Sequence, residues 1–338
     1  MSTKLNTKKT LLYLRLPNWL GDVCMCLPII EALLKKNEYN LVICARPWAK
    51  QLLKHYPIEQ WVFLKGAMLT DAKAVKQHRR QHAQYKAKGL IIPDSFSSAF
   101  IFWWAKIPSA GVKDEGRSLM LTWALNKPSH SLHTVVYWYQ VAFKALNEWG
   151  TPIESNIPEK LSLRLPETSH AQNTNLNTTL KINTANNQNQ LQKTVLIAPT
   201  ATGKHKGQTK VWPCFEQLTQ KLQQKGCRVI MCPPSNEIKQ AKNNAPSAER
   251  LEPMNIDRFA LLCRSVDIVV CNDSGVSHIA AAAHAQQITL FGVTSPKLTG
   301  PWSPYAHCLG SEKQWPNLQE VLKVCLKVLQ LENVHESI

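Results

Sequence analysis

Long apolar segments are what this sequence most clearly lacks. No apolar run approaches the ~20 residues that a helix needs to cross a bilayer. The apolar segment after the polar, basic N-terminus is interrupted by Arg15, Asn18 and Asp22, which the core of a signal peptide would not tolerate. We therefore expect a cytoplasmic protein without membrane-spanning helices.

Acidic residues are also scarce relative to basic ones. The 23 Asp and Glu residues face 40 Lys and Arg residues, which gives a formal net charge of +17 at pH 7. Such an excess favours an anionic partner: nucleic acid, an anionic membrane surface or a phosphorylated substrate. It does not distinguish among them, and a basic surface without a specific partner would show the same excess.

Short motifs of several common chemistries are missing as well. The ten cysteines include no CxxC pair and fall in apolar segments, where a reduced thiol behaves as a small hydrophobic group. No GxGxxG fingerprint supports a nicotinamide-dependent oxidoreductase, and no DxD pair suggests a metal-bridged nucleotide. The stretch TATGKHKG departs from a P-loop, because Ala198 replaces its first glycine and His205 follows Lys204. We therefore expect neither a cofactor nor a bound metal.

Apolar runs alternate with longer amphipathic segments in both halves, which is typical of βαβ units and of a parallel sheet covered by helices. In the first half the predicted strands are Leu11–Leu16, Asn40–Ala45, Gln60–Leu64 and Gly89–Pro93, and the predicted helices are Val23–Lys36 (distorted at Pro28), Pro47–His55 and Ala72–Lys88. In the second half the strands are Thr194–Pro199, Arg228–Pro233, Val266–Cys271 and, closing the sheet, Gln287–Gly292, and the helices are Phe215–Lys225, Asn255–Arg264, Gly275–Ala285 and Leu318–Leu331.

The stretch His170–Gln192 separates the two halves. It is rich in Asn, Gln and Thr and nearly free of large apolar groups, so it supports no core and is expected to be a linker or insertion. The fold class is therefore α/β, with two doubly wound domains and a cleft between them. We predict an N-terminal domain over residues 1–168, the linker over 169–193, a C-terminal domain over 194–316 and a C-terminal helix over 317–338.

Ligands of doubly wound domains bind beyond the C-terminal ends of the strands, and three strand-to-helix loops have unusual polar content there. In the first, Pro17–Asp22, the carboxylate of Asp22 could act as a base or cap the following helix. The second, Ala198–Pro213, carries Lys204, Lys206 and Lys210, which could hold phosphates or belong to a solvated loop.

The third loop opens the stretch CNDSGVSHIAAAAHA, Cys271–Ala285. Asp273, Ser274 and Gly275 precede or begin a predicted helix, and His278 lies one turn further on. A helix N-terminus presents free N–H groups and a partial positive charge, so the stretch predicts an anion site; capping alone would use the same residues. His278 is either a ligand contact or a histidine on the helix surface.

Two further stretches are open to structural interpretations. FIFWW, Phe100–Trp104, could face a membrane, but its spacing favours a place in the core. HRRQH places His78 and His82 four residues apart; its cations and the missing third ligand favour a solvated basic helix face over a metal site.

Four segments resemble glycosyltransferase family 9, the heptosyltransferases that transfer heptose from ADP-heptose to lipopolysaccharide. They are LRLPNWLGDVCMCLPIIEALL, PDSFSSAFIFWWAKIPSAGV (similar to the acceptor-domain segment of heptosyltransferase II), KVWP and CNDSGVSHIAAAAHAQQITLFGVTSPKLTGPW. The resemblance covers most of the chain outside the Asn-rich stretch.

The resemblance implies a GT-B fold, with two Rossmann-like domains and the last helix crossing back to the first. It implies an inverting, metal-independent transfer of heptose from ADP-heptose to the lipopolysaccharide inner core. The net charge of +17 fits an acceptor that carries carboxylates and phosphates, and it also fits a peripheral position on the anionic cytoplasmic face of the inner membrane. Asp22 matches the general base and Lys210 the lysine that contacts the donor phosphates. The implied donor-binding residues are Thr200, Glu237, Met254, Asp273, Ser274, Gly275 and His278, and the implied acceptor-side residues are Asn18, Gly21 and Ser97.

Two alternatives stay open at this point. The loop before Lys210 is longer than the family's pattern and the Asn-rich stretch departs from it, so another nucleotide sugar could be the donor. A basic nucleotide-binding or nucleic-acid-binding protein without transferase activity would also explain the charge and the α/β domains.

Overall fold

The computed structural model describes residues 10–114, 116–166, 192–205 and 207–331. The chain divides into two units, one ending at Pro158 and one beginning at Glu159. This boundary precedes the predicted limit at residue 168, because Leu161 and Leu163 donate backbone hydrogen bonds to Trp302 and Ala282 of the second unit. Residues 167–191, most of the predicted linker, lie outside the described residues.

The first unit is built on an all-parallel, six-stranded sheet in the order β3-β2-β1-β4-β5-β6. Its strands are β1 Thr10–Arg15, β2 Tyr39–Ala45, β3 Gln60–Phe63, β4 Ala87–Ile91, β5 Ser109–Val112 and β6 Trp123–Leu125. Its helices are α1 Leu20–Met25, α2 Leu27–Lys36, α3 Ala49–Leu52, α4 Met68–Gln81, α5 Phe96–Trp104 and α6 Thr134–Glu148, with a 3₁₀ turn at Arg117–Met120.

The second unit repeats this topology with the sheet order β11-β10-β7-β12-β13-β14. Its parallel strands are β7 Thr194–Ala198, β10 Arg228–Met231, β11 Glu249–Arg250, β12 Ile268–Asn272, β13 Gln287–Phe291 and β14 Ala306–Gly310, and a short antiparallel hairpin pairs β8 Lys204–His205 with β9 Gln208–Thr209. Its helices are α7 Phe215–Gln224, α8 Ile238–Asn244, α9 Ile256–Ser265, α10 Gly275–Ala282, α11 Pro296–Thr299 and α12 Leu318–Leu329. Two doubly wound α/β domains, the predicted fold class, are confirmed.

Several predicted bounds differ from the structure for identifiable reasons. The predicted helix Val23–Lys36 is two helices that meet at Cys26, with Pro28 in the first turn of α2, where its missing N–H costs nothing. The basic helix begins at Met68 and ends at Gln81, before the predicted Lys88. Strand β14, which is partly exposed, lies at the edge of the second sheet, so the prediction that Gln287–Gly292 closes that sheet is wrong.

The described C-terminal helix packs within the second unit. Helix α12 buries Val321, Cys325 and Leu329 in that unit's core, next to α7 and to strands β12 and β13. Residues 332–338 lie outside the described residues, and the crossing of the segment 317–338 back to the first domain stays a prediction.

The segment FIFWW is only partly in the core. Ile101 and Phe102 are buried in the core of the first unit, whereas the side chains of Trp103 and Trp104 are exposed. The predicted core location therefore holds for one face of α5 and is wrong for the other. None of the helices among the described residues has the length and apolar content to cross a membrane.

The basic helix is likewise not solvated on all sides. His78 accepts or donates a 3.0 Å hydrogen bond with the hydroxyl of Tyr13 on β1, and its ring stacks on His82 at 4.3 Å. Burial, followed by the neighbouring His82, lowers the pKa of His78 to about 4, so this histidine is neutral at pH 7. His78 therefore helps to pack α4 against the sheet through Tyr13 on β1.

Candidate functional site

The order of the second sheet creates a crevice at the C-terminal end of its first strand. The chain leaves β7 toward β10 on one side and later returns to β12 on the other. Connections that depart in opposite directions leave a gap between the loops after β7 and β12, and this switch point is where doubly wound folds bind ligands. Thr200 follows β7 and Asp273 follows β12, so both lie at this crevice.

Asp273 holds two polar side chains from distant parts of the chain. One carboxylate oxygen, Oδ2, accepts hydrogen bonds from Lys210 Nζ at 2.9 Å and from Thr294 Oγ1 at 2.6 Å. The Asp273 side chain is 6% exposed and that of Lys210 is 19% exposed. The ammonium group is therefore held in place by Asp273, and the Lys210 side chain remains partly exposed.

The KVWP motif explains how Lys210 reaches Asp273. The indole of Trp212 is buried against Phe215, with ring centroids 5.4 Å apart, and its Nε1 donates to the carbonyl of Pro316 at 2.8 Å. The backbone N–H of Trp212 donates to Asn272 Oδ1 at 2.9 Å. This anchoring two residues after Lys210 fixes the loop beside the end of β12.

Asn272 also ties the two loops of the crevice together. Its Nδ2 group lies 3.3 Å from the carbonyl oxygens of Ala198 and Thr200 and donates to both. Asn272 is completely buried, so its amide satisfies backbone groups that would otherwise lack partners. Asn272 and Thr294 were not predicted from the sequence, although both fall within the family-like segment that begins at Cys271.

The predicted anion site begins helix α10. Ser274 is the N-cap, and its Oγ accepts a 3.3 Å hydrogen bond from the N–H of Val276. The first helical residue is Gly275, two residues after Asp273, whose carboxylate holds Lys210. His278 lies one turn on and is 4% exposed, which does not fit the alternative of a histidine on the helix surface. Its contact with the donor stays a prediction.

The remaining predicted nucleotide-side residues follow neighbouring strands of the same sheet. Thr200 Oγ1 donates a short hydrogen bond to Glu237, which precedes α8. Met254 is half-buried in the connection from β11 to α9. Because β11, β10, β7 and β12 are parallel neighbours, their C-terminal ends meet at one edge. The structure therefore brings the predicted donor residues to a single edge, while Lys206 lies outside the described residues.

The first sheet has an equivalent switch point between β1 and β4. Asp22 is the third residue of α1, whose N-cap is Trp19, so Asp22 is not the N-cap of its helix. Gly21 precedes it and is buried. Asn18 is exposed, and its Oδ1 accepts a 2.9 Å hydrogen bond from Nη2 of the buried Arg15.

The loop after β4 is held by groups from more distant elements. Arg117 is fully buried, and its Nη1 donates to the carbonyls of Pro93 at 2.7 Å and Ser95 at 3.1 Å. Ser95 Oγ lies 3.2 Å from Ser97 Oγ, which places the predicted Ser97 in this loop at the start of α5. The edge with Asp22 and Asn18 thus also carries Ser97.

A buried pair lies beside that loop. The hydroxyl of Tyr137 on α6 donates to Asp94 Oδ2 at 2.9 Å. Burial, and then this hydrogen bond to Asp94, raise the pKa of Tyr137, so the hydroxyl stays protonated. Sequence reasoning missed Arg117 and Tyr137, because neither belongs to a recognisable motif; Asp94 stands in the family-like PDSFSS segment.

Cys271, beside the crevice of the second unit, is not suited to nucleophilic chemistry. Burial above all, with a further contribution from the Asp273 carboxylate, raises the pKa of Cys271 to about 12. Its thiol is therefore protonated at neutral pH. Across the described ranges, no three His, Cys, Asp or Glu side chains are grouped so that they could hold a metal ion.

Comparison with known proteins agrees with this arrangement. The chain is 29% identical over 319 residues to lipooligosaccharide heptosyltransferase 2 of Haemophilus influenzae, covering 86% of this chain and 85% of that protein. The structure of E. coli ADP-heptose LPS heptosyltransferase II matches with a TM-score of 0.72 at 20% identity, covering 96% of this chain and 99% of that one. E. coli heptosyltransferase WaaC with ADP matches with a TM-score of 0.69 at 17% identity, covering 94% and 100%.

At these identities the structural matches show the fold, which is the predicted pair of Rossmann-like domains of the GT-B class. The sequence profile of glycosyltransferase family 9 (heptosyltransferase) matches residues 77–327, which is well over half of the chain. That span contains Lys210, Asp273 and the start of α10. This chain therefore belongs to glycosyltransferase family 9 (heptosyltransferase) and is a glycosyltransferase.

Proposed function

We propose that this glycosyltransferase moves a heptose from ADP-heptose to the inner core of lipopolysaccharide, with inversion at the anomeric carbon and without a metal ion. The observation that carries the proposal is the Lys210–Asp273 pair beside the N-terminus of α10. A fixed cation and a helix start provide positive potential for a diphosphate. The similar proteins support the sugar and the acceptor, since two of their names contain heptosyltransferase 2 or II.

In this mechanism the first unit supplies the base. An acceptor hydroxyl attacks the anomeric carbon, its proton passes to the carboxylate of Asp22, and the bond from that carbon to the β-phosphate oxygen breaks. The electron pair of this bond leaves with ADP. Because there is a single displacement, the anomeric configuration inverts. Asp22 suits the role because it is a carboxylate in the first turn of α1, after the loop that follows β1 at the switch point.

The second unit stabilises the leaving group. Negative charge grows on the diphosphate as the glycosidic bond breaks, and Lys210 with the first turn of α10 offset that charge. The carboxylate of Asp273 is fixed by its hydrogen bond from Thr294, and it in turn holds the ammonium group of Lys210. Little reorganisation of the lysine is therefore needed during the reaction. Glu237, Thr200 and Met254 line the same edge, where we place the nucleoside.

The identity of the donor nucleotide sugar can be tested directly by measuring binding. We expect calorimetric titration without metal to show tighter binding of ADP-heptose than of UDP-sugars or GDP-sugars, with ADP alone retaining much of the affinity. Preference for another nucleotide sugar would keep the site and change the substrate. Absence of binding by any nucleotide sugar would contradict the assignment of the second-unit crevice. The non-enzymatic alternative no longer stands, because family membership makes the chain a glycosyltransferase.

Metal independence has its own test. We expect EDTA to leave the transfer rate unchanged, because Lys210 and the α10 N-terminus take the place of a cation at the diphosphate. The measurement is the initial rate with and without EDTA after removal of adventitious ions, and re-addition of magnesium is the control. A large loss that magnesium restores would reject the metal-independent mechanism.

The location of the reaction is also part of the proposal. The lipopolysaccharide acceptor is anchored in a membrane by its lipid, so the enzyme must work at a surface. The net charge of +17 favours attraction to an anionic surface. We place the protein at the cytoplasmic face of the inner membrane as a peripheral protein.

A further inference from the structure

Helix α5 of the first unit is apolar on both of its faces. Ala99, Ile101 and Phe102 are buried in the apolar core of the first unit. The outward stripe runs along Phe96, Phe100, Trp103 and Trp104, at positions i, i+4, i+7 and i+8; of these, Phe100 is half-buried and also packs against the core. A helix that is apolar all round is normally buried in protein or in contact with lipid.

The outward stripe is nevertheless accessible. Trp103 is 50% exposed and Trp104 is 41% exposed, and Phe96 at the other end of the helix is also exposed. Leu119, in the 3₁₀ turn that packs next to α5, is 94% exposed. Contiguous exposed apolar side chains of this size mark an interaction surface.

Cations surround the C-terminal end of this stripe. A cavity of about 310 Å³ is lined by Lys76, Arg79, Arg80 and Lys106, together with two alanines, Ala83 and Ala105. The ammonium group of Lys76 lies 5.1 Å from the ring centroid of Trp104, a cation–π distance. Positive and aromatic groups therefore form one continuous face.

This combination has a specific chemical counterpart. Tryptophan prefers the boundary between water and acyl chains, because its ring is apolar and its indole N–H can hydrogen-bond. Lysine and arginine attract anionic headgroups, and a basic cavity accepts a headgroup phosphate. A protein partner would need matching acidic groups, whereas an anionic bilayer supplies both the apolar and the anionic component.

We propose that the outward face of α5 and the neighbouring end of α4 form a docking surface for an anionic lipid bilayer, with Trp103 and Trp104 in the interface and a lipid phosphate in the basic cavity. This inference rests on the proposed function, in that a lipid-anchored acceptor requires the enzyme at a membrane. Helix α5 carries Ser97 in its first turn, at the acceptor-side edge, and is about 14 Å long. One helix thus joins the docking surface to the edge where the acceptor is expected.

A second copy of the chain is a less suitable occupant. Self-association through this face would bring two sets of Lys76, Arg79, Arg80 and Lys106 together. Like charges at a shared interface repel each other, and the whole chain already carries +17. The bilayer is the occupant whose charge complements this face.

The test is flotation of the full-length protein with vesicles of phosphatidylcholine alone or of an equal mixture with phosphatidylglycerol. We expect binding to the mixture only. The triple variant Lys76→Gln/Arg80→Gln/Lys106→Asn should bind about 100-fold more weakly, since each cation near the surface contributes about a factor of five. Asparagine is chosen at residue 106 because the backbone there has φ of 55°.

A matched control removes the same charge elsewhere. The variant Lys225→Gln/Lys323→Gln/Lys327→Gln changes three exposed lysines of the second unit and should keep nearly all of the vesicle binding. Equal losses in both triple variants would show that only net charge matters and would overturn the docking surface. Thermal unfolding of each variant checks that the fold is intact.

Insertion of the aromatic stripe is tested separately. Brominated acyl chains should quench part of the tryptophan fluorescence of the wild type, and Trp103→Gln/Trp104→Gln should lose most of that quenching. Quenching that persists in this variant would contradict insertion of α5. A dimer in solution that this variant dissociates, without vesicle binding by the wild type, would overturn the proposal in favour of self-association.

A soluble acceptor separates this inference from the proposed function. Transfer to a deacylated, water-soluble acceptor should proceed equally in the wild type and in the Lys76/Arg80/Lys106 variant. Transfer without vesicle binding would reject the docking surface and leave the proposed reaction standing. Vesicle binding at the α5 face without transfer to the soluble acceptor would reject the proposed reaction and leave the docking surface standing.

Discussion

Asp22→Asn is expected to reduce kcat by about 10³-fold, within the range that a positioned general base contributes. Asparagine keeps the size of the side chain but accepts no proton from the attacking hydroxyl. The effect should fall on kcat, with the affinity for the nucleotide sugar nearly unchanged, because Asp22 belongs to the first unit and the nucleotide site to the second. Initial rates and calorimetric titration of the same preparation measure the two quantities.

The control for Asp22 is a carboxylate that has no role in the site. Glu38→Gln removes one exposed negative charge from the same unit and should leave kcat unchanged. If Asp22→Asn retains most of the wild-type kcat, Asp22 serves only the electrostatics of its helix N-terminus. A drop in melting temperature parallel to the drop in rate would point to that structural role as well.

Lys210→Ala is expected to lower kcat on the order of 100-fold and to weaken ADP binding, because a single preorganised electrostatic group typically contributes that much. The lysine interacts with the diphosphate in both the bound and the leaving state, so both quantities should change. Lys323→Ala, which removes an exposed lysine of α12, is the control and should change neither.

Lys210→Ala also leaves the nearly buried carboxylate of Asp273 without its cation. An unpaired buried charge would disturb the site even if Lys210 made no contact with the diphosphate. The double variant Lys210→Ala/Asp273→Asn removes the stranded charge while keeping a partner for Thr294. If the double variant is as impaired as Lys210→Ala, the missing cation at the diphosphate is the cause. If it recovers wild-type rates and ADP affinity, Lys210 does not contact the nucleotide.

Much of the fold could be read from local pattern. The alternation of apolar runs with amphipathic segments predicted parallel sheets, and most strand bounds agree within one or two residues. The elements that escaped prediction include the edge strands β6, β11 and β14, because an edge strand does not need a continuous apolar run. The buried strand β5 and the 15-residue helix α6 were missed as well. A distortion at Pro28 was predicted from the effect of proline on its own backbone, and the structure places the break between α1 and α2 two residues earlier, at Cys26.

The sequence by itself determined the two doubly wound units and the loops at their strand ends, including the polar start of α10. These features depend on local periodicity, capping and backbone chemistry, which neighbouring residues specify. Only the tertiary structure decided that Lys210 pairs with Asp273 across 63 residues, that Tyr137 holds Asp94, and that Arg117 is buried beneath the loop before α5. Such pairs depend on the order of strands in the sheet, because that order selects which distant loops meet at one edge.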